Sequence, residues 1–575
     1  MNRHFFWTAI VMAVFFLPAQ AQKKAEIRYN QVGYYTDEEK VVVFDGADPG
    51  RQLTVKDAAG NVVLGPKTQR MAVSPWSGKK RYIVDLSELK EPGNYTISTK
   101  NNEVSIKLGS SVLHDVAVAS LKLFYLIRSG APIQARYAGE YARDVAHADT
   151  HVLIHPSAAS EGRPAGSVIC SPLGWYDAGD YNKYVVNSAF SIGVMLASYE
   201  QNKEYFARLN TNIPESGNAT PDLLDEMMFN LRWLLTMQDP ADGGVYHKLT
   251  TPNFEGFIMP ADCHQPRYVV AKSVTATYDF AAVMAQSARL LKDSRDYSEF
   301  SAQAEAAARL AYEWAKAHPQ AFYWQEALSK KFEPAVTTGT YGDMRATDER
   351  FWAATELYRL TGEEAFLNDA KEVMPKQYSL PTWGNVASLG AYSWIASGMA
   401  EMRQPMLDQL KAYCDKLVEG VASSSFQSPY GNQKTDFGWG CLAEGCCMGG
   451  MALLYADRFI APGKYYRYAL QNVDYMLGRN ATGYCYVTGY GTKSPMFPHH
   501  RISAADNIEK PFPGMLVGGP NPGQQDKGSG NLVYPSNHPD ESYLDQTESY
   551  ASNEIAINWN ASLVALLCWI DAMKN

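Results

Sequence analysis

The stretch G-W-Y-D-A-G-D-Y-N-K-Y, Gly174 to Tyr184, organises the reading of this chain. Two acids, Asp177 and Asp180, stand one turn apart across a small Ala-Gly step. Aromatic residues flank them at Trp175, Tyr176, Tyr181 and Tyr184. An apolar-periodic run from Val185 to Tyr199 follows and reads as a helix. The pattern predicts two carboxylates where a loop enters a helix, whose unpaired N–H groups favour negative charge. An acid kept ionised there suits a general base. Plain capping of the helix by Asp180 accounts for the same residues.

Around this stretch the chain is helical from Val112 onward. Helical candidates lie at roughly 113–129, 183–202, 220–238, 271–292, 297–317, 349–361, 364–374, 385–400, 402–423, 441–460, 463–477 and 552–572. About twelve helices in one domain suggest helix pairs closed into a ring, an (α/α)6 barrel, although other all-α arrangements fit the same pattern. Upstream, β-rich runs (Ile27–Tyr29, Lys40–Phe44, Leu53–Asp57, Arg81–Leu86, Tyr95–Ser98 and Val104–Leu108) alternate with turn signals such as Glu91-Pro92-Gly93-Asn94. That spacing predicts a small immunoglobulin-like β-sandwich. It holds no cluster of candidate catalytic residues, so a structural or docking role is expected. At 575 residues the chain is too long for one ordinary core. The expected division is 22–108 for the sandwich and 109–575 for the helical domain.

Residues 1–21 read as a secretory signal peptide. Arg3 and His4 precede an apolar run to Leu17, and Ala19-Gln20-Ala21 offers a cleavage site. Export to the periplasm or medium is therefore expected, with no later span of a membrane and a monomeric mature protein. Export permits disulfides, yet eight cysteines without a C-x-x-C pair read mostly as small buried hydrophobes. The net charge of -9 argues against nucleic acid as a partner, because phosphate binding needs clustered Lys and Arg. The 36 Tyr and 12 Trp suit either sugar faces or an aromatic core.

Two further constellations lie late in the chain, in and after a loop-rich stretch from 478 to 550 that suits the lining of a site. One is Pro498-His499-His500-Arg501. Its adjacent histidines are poor metal spacing, so His499 and Arg501 read as hydrogen-bonding a polar ligand or as an Arg–acid pair. The other is Y-L-D-Q-T-E-S-Y-A-S-N-E-I-A-I-N-W-N-A, Tyr543 to Ala561, in which Glu554 opens the last helix. A closed helical ring could bring Glu554 to Asp180. Two acids across a cleft, one ionised and one protonated, are what glycoside hydrolysis requires. Apolar neighbours and nearby acids would raise the carboxyl of Glu554 and suit it to donate a proton.

On these motifs, with Y-M-L-G-R-N and Y-V-T-G-Y-G, the chain resembles glycoside hydrolase family 9, the cellulase and endoglucanase family with an N-terminal immunoglobulin-like module. The matching stretches run from Asn30-Gln31-Val32-Gly33-Tyr34 to Ala561. The resemblance implies an (α/α)6 barrel with an open cleft and an inverting mechanism on β-1,4-glucans such as cellulose-like chains, xyloglucan or mixed-linkage glucan. It makes Asp180 the general base, Asp177 a holder of the attacking water, and Glu554 the general acid. His499 and Arg501 match residues that bind sugar at the cleaved bond, Tyr550 lies close to the acid, and Trp383 resembles a sugar-stacking Trp. No catalytic cofactor is implied. Some relatives carry a structural zinc, but its cysteine positions here are Ser129 and Ala146. Some carry a calcium beside a D-E pair that matches Asp348 and Glu349, although Gly384-Asn385 stands where a further acid is expected. An exo-acting enzyme on oligosaccharides, a non-catalytic glycan-binding protein on the same fold, and a metal site built on Asp177 and Asp180 are the competing readings.

Overall fold

The computed structural model describes residues 26–50, 53–67, 70–100, 102–528 and 531–575. The expected signal peptide lies outside the described residues. The first strands build a sandwich of two sheets. One has the order β1 (Glu26–Arg28), β3 (Val41–Asp45), β7 (Lys80–Asp85), β6 (Arg70–Val73). The other runs β2 (Tyr34–Tyr35), β9 (Glu103–Gly109), β8 (Gly93–Ser98), β4 (Thr54–Lys56), β5 (Val62–Leu64). Strand β3 shows how this unit is held. Its residues alternate in direction, so Val42 and Phe44 fill the sandwich core while Val41 and Val43 join the core of the helical domain. A strand apolar on both faces is buried on both. The fully buried Arg81 secures the same junction, binding Asp45 of the sandwich and Asp540 of the helical domain.

Twelve helices of nine or more residues follow among the described residues. They are α1 (His114–Leu126), α2 (Val185–Gln201), α3 (Asp222–Thr236), α4 (Val274–Leu291), α5 (Ser298–Ala317), α6 (Thr347–Thr361), α7 (Glu364–Glu372), α8 (Ala387–Ser397), α9 (Ala400–Val418), α10 (Met448–Phe459), α11 (Tyr466–Met476) and α12 (Ile557–Ala572). Even-numbered helices form the inner layer. Residues 185–199 of α2 and 557–571 of α12 are buried without a break. Odd-numbered helices such as α5 and α9 bury one stripe and expose the rest. Helix α12 packs on α2, α2 on α4, α4 on α6, and α6 on α8, while α10 returns to α12. The fold is the (α/α)6 barrel expected from the helix count. Its closure sets the last helix beside the second.

The structure corrects two local readings. Helix α2 begins at Val185, and Asp180 does not cap it, because the N-cap is Tyr184 and makes no side-chain cap bond. Between the acids and the helix lies a short strand, β10 (Lys183–Tyr184), paired antiparallel with β11 (Lys248–Thr250). Sheet pairing therefore holds the acid loop, and helix N–H groups do not. Likewise Glu554 does not open the last helix. It sits in extended backbone between a single turn (Tyr550–Asn553) and the start of α12, and Asn553 spends its side chain on Tyr543, Asp545 and Phe497. All eight cysteines are free, and six of them are buried.

Candidate active site

Three chain segments meet at one mouth of the barrel. The backbone N–H of Ile557 donates to the carbonyl of Asp177 at 2.8 Å, tying the start of α12 to the acid loop. His499 pairs in parallel with Glu554, and the Arg501 N–H donates to the Gly179 carbonyl. The D-A-G-D spacing has a steric reason here. A Cβ at Gly179 would fall 2.4 Å from the carbonyl oxygen of His499, so only glycine lets the two loops touch.

A cavity of about 390 Å³ opens where they meet. Asp177, Asp180 and Glu554 all line it, with Trp383, Phe254, Tyr341, Trp439, Glu444 and Trp559. The two aspartates are held differently. Both oxygens of Asp177 are engaged, Oδ1 by the Asn187 amide and Oδ2 by the Tyr341 hydroxyl, each at 2.7 Å. At Asp180 both donors, the Asn182 amide (2.5 Å) and the Tyr184 hydroxyl (3.0 Å), use Oδ2. That leaves Asp180 Oδ1 to the cavity. Burial, and then the charge of Asp180, push Asp177 well above the usual carboxylate range. The buried Lys248, held by Gln325, Thr338 and the Gly339 carbonyl, offsets part of this.

Glu554 is half-buried, in the extended segment just before α12. Burial first, and then the negative charges of Asp180 and Asp177, push its carboxyl up to about 8, against the pull of Arg501 and Trp439. At neutral pH it therefore carries its proton. The cavity thus holds an acceptor oxygen on Asp180 and a protonated carboxyl on Glu554, the division of labour that glycoside cleavage needs.

Of the expected sugar contacts, Trp383 lines the cavity, its ring edge-on to Tyr341 at 5.1 Å. His499, Arg501 and Tyr550 border it and face protein partners. The His499 Nδ1–H is directed at the Thr547 carbonyl, and burial pushes this imidazole down to about 4. Arg501 donates to the carbonyls of Gly179 and Glu255. Tyr550 donates to the Gln525 carbonyl. Sequence reasoning missed Asn187, Tyr341, Phe254, Trp439 and Glu444, and had Trp559 only as a neighbour of Glu554. Asn187 was the legible one, in the first turn of the helix that starts at Val185. The others gather only through closure of the barrel. Most of the aromatic excess is core, with Trp175, Trp233, Trp352, Trp394 and Trp569 fully buried.

A second acidic group lies beneath the turn that carries Trp383. Asp343, Asp348 and Glu349 each bring a carboxylate oxygen within 4.8 Å of the others. Asp348 is occupied by Arg345 and the Val386 N–H. Both oxygens of Glu349, both of Asp279 on α4, and Oδ2 of Asp343 are buried without a partner. Uncompensated buried carboxylates are costly, and an all-oxygen set of this kind fits a hard divalent cation. No acid stands at Gly384-Asn385, while Asp343 joins the pair and Asp279 adds negative charge beside Glu349. Next to Ala146, His147 shares a hydrogen bond with the Tyr176 hydroxyl.

A barrel of paired helices with an acid loop and a protonated glutamate across an aromatic-lined cavity defines a glycoside hydrolase. Residues 114–567 match the family described as glycosyl hydrolase family 9, and residues 22–104 match the cellulase N-terminal ig-like domain. The chain belongs to glycosyl hydrolase family 9. The chain is 53% identical over 556 residues to the xyloglucan-specific endo-beta-1,4-glucanase BoGH9A of Bacteroides ovatus, covering 95% of this chain and 94% of that protein. Endoglucanase D of Acetivibrio thermocellus is 32% identical, with 95% and 83% covered. A solved structure described as Bacteroides ovatus GH9 superposes with a TM-score of 0.91 at 51% identity, over 96% of this chain and 99% of that one. The expectation of an inverting endo-β-1,4-glucanase agrees with this membership. No described helix is long and apolar enough to cross a membrane.

Proposed function

We propose that this protein is an exported, monomeric, inverting endo-β-1,4-glucanase whose preferred substrate is a xyloglucan-type backbone. The observation that carries the reading is the asymmetry within one cavity. Asp180 presents an unoccupied carboxylate oxygen, and Glu554 faces it with a proton. Asp180 takes a proton from water as the water oxygen bonds to the anomeric carbon. Asp177, fixed by Asn187 and Tyr341, helps to hold that water. Glu554 gives its proton to the glycosidic oxygen as the carbon–oxygen bond breaks, and the anomeric configuration inverts. The xyloglucan preference draws on the printed name of the Bacteroides ovatus relative. The rings of Trp383, Phe254 and Trp439 supply faces for successive sugars. A structural cation at Asp279, Asp343 and Glu349 would brace the Trp383 turn without entering the chemistry.

Early product analysis on a panel of β-glucans tests the reading. A ladder of oligosaccharides from xyloglucan of inverted anomeric configuration is expected, and one small product would indicate exo action. Asp180→Ala and Glu554→Gln should each lower turnover by about 10²-fold or more while the folded protein remains, since general acid–base groups contribute on that scale. Near-normal turnover by either variant would sink the assignment.

A further inference from the structure

Glu444 is the one carboxyl on the cavity wall with no part in the hydrolysis just described. It lies in a six-residue π-helical turn, Leu442–Cys447, that interrupts the approach to α10. Such turns are rare and gather at functional sites. The turn is clamped in place. A Cβ at Gly440 would fall 2.5 Å from the Trp559 ring, and the Leu442 N–H donates to the Gly518 carbonyl. The carboxyl thus has a fixed origin and a fixed aim. Its side chain makes no hydrogen bond or ion pair among the described residues, and burial alone raises it to about 7. A half-buried acid without a protein partner, held in an irregular turn on the cavity wall, is left free to bond a ligand. One turn earlier the Trp439 ring, 47% exposed, lines the same cavity.

We propose that Glu444 is a specificity-determining residue that accepts hydrogen bonds from two neighbouring hydroxyls of a glucosyl unit seated against Trp439. The two carboxyl oxygens match a vicinal diol, the indole face matches the apolar face of the ring, and the sugar replaces the partner that the folded chain lacks. The proposal rests on the glucanase reading. It adds a contact that binds substrate and moves no proton.

The test compares Glu444→Gln and Glu444→Ala with the unmodified full chain, on xyloglucan and on unbranched β-glucan. kcat, KM, the pH profile and thermal unfolding are recorded for each. Loss of a charge-assisted pair predicts a fall in kcat/KM of about tenfold or more for the Ala variant, expressed mainly in KM. The Gln variant should lose less, because it keeps one acceptor. The alkaline limb of the pH profile and the unfolding temperature should hold or improve. A kcat/KM within about twofold of the unmodified chain overturns the proposal. So does a fall in kcat alone with a displaced alkaline limb, which would mean that Glu444 acts through the charge of Glu554. Should the Ala variant fail to fold, the isosteric Gln variant decides. If the unmodified chain cleaves no β-glucan, the glucanase reading itself falls, an outcome distinct from these.

Discussion

Glu554 concentrates the residue-scale physics of this site. Its carboxyl is pushed up to about 8 by burial and by two neighbouring aspartates. Below that pH it holds the proton needed by the leaving oxygen, and above it the proton is gone. kcat/KM should therefore fall on the alkaline side with an apparent pKa near 8. The residual activity of Glu554→Gln should lack that limb. A profile flat through pH 9 in the unmodified chain would contradict the assignment. The same shift sets a stability trend. The folded chain binds this proton more tightly than the unfolded chain does, so the associated stability is complete below the ordinary carboxylate value and is lost as pH rises to about 8. Glu554→Gln, always neutral, should match the unmodified chain in thermal unfolding near pH 4 and exceed it near pH 8. That is the usual exchange of stability for function at an active site.

At the scale of elements, the reactive groups stand on loops that precede helices, and contacts between the loops set their aim. Gly179 is the pivot, since its carbonyl accepts from both the backbone and the guanidinium of Arg501. Gly179→Ala would drive a methyl group into His499 and part the two loops. A displacement near 1 Å costs about 10²-fold in rate. We expect turnover to drop on that scale with little change in the far-ultraviolet dichroism of the barrel. Full activity would show that the loops tolerate separation. The helices themselves were legible, because their apolar periods are long. Their exact starts were not. Two residues of strand pairing, Lys183 with Leu249 and Tyr184 with Lys248, carry no sequence signal of their own and still displace the predicted cap.

At the scale of the whole molecule, closure and docking decide what works. The inner helices bring α12 to α2, and Arg81 locks the sandwich against the loop that holds Asp540. The carboxylates of Asp279 on α4, Glu349 on α6 and Asp343 in the segment before α6 gather from two inner helices. A chelator should lower the unfolding temperature, and calcium should restore it. Saturation at 100-fold over the dissociation constant corresponds to about 2.7 kcal/mol. Asp279→Asn should abolish the chelator response, which calorimetry reads without reference to activity. An unchanged unfolding temperature in chelator would dismiss the cation.

The sequence alone determined the helices, the short strands and the motifs that carry the three acids, because periodicity and fixed motif spacing are local or near-local properties. It also marked Trp383 as a cleft residue. Only the tertiary structure decided the rest. It replaced the helix cap at Asp180 with a sheet contact, bonded Arg501 and Tyr550 to backbone carbonyls of neighbouring loops, gathered Tyr341, Trp439 and Glu444 around the cavity, and brought Asp279 and Asp343 to Glu349. The physical reason is common to all of these. A carboxyl's charge and a side chain's partner depend on what the closed ring brings within a few ångströms, from segments that lie far apart along the chain. The opening acids illustrate both halves: their presence is written in D-A-G-D, and the choice of Asp180 as the free oxygen is written in the positions of Asn182, Tyr184, Asn187 and Tyr341.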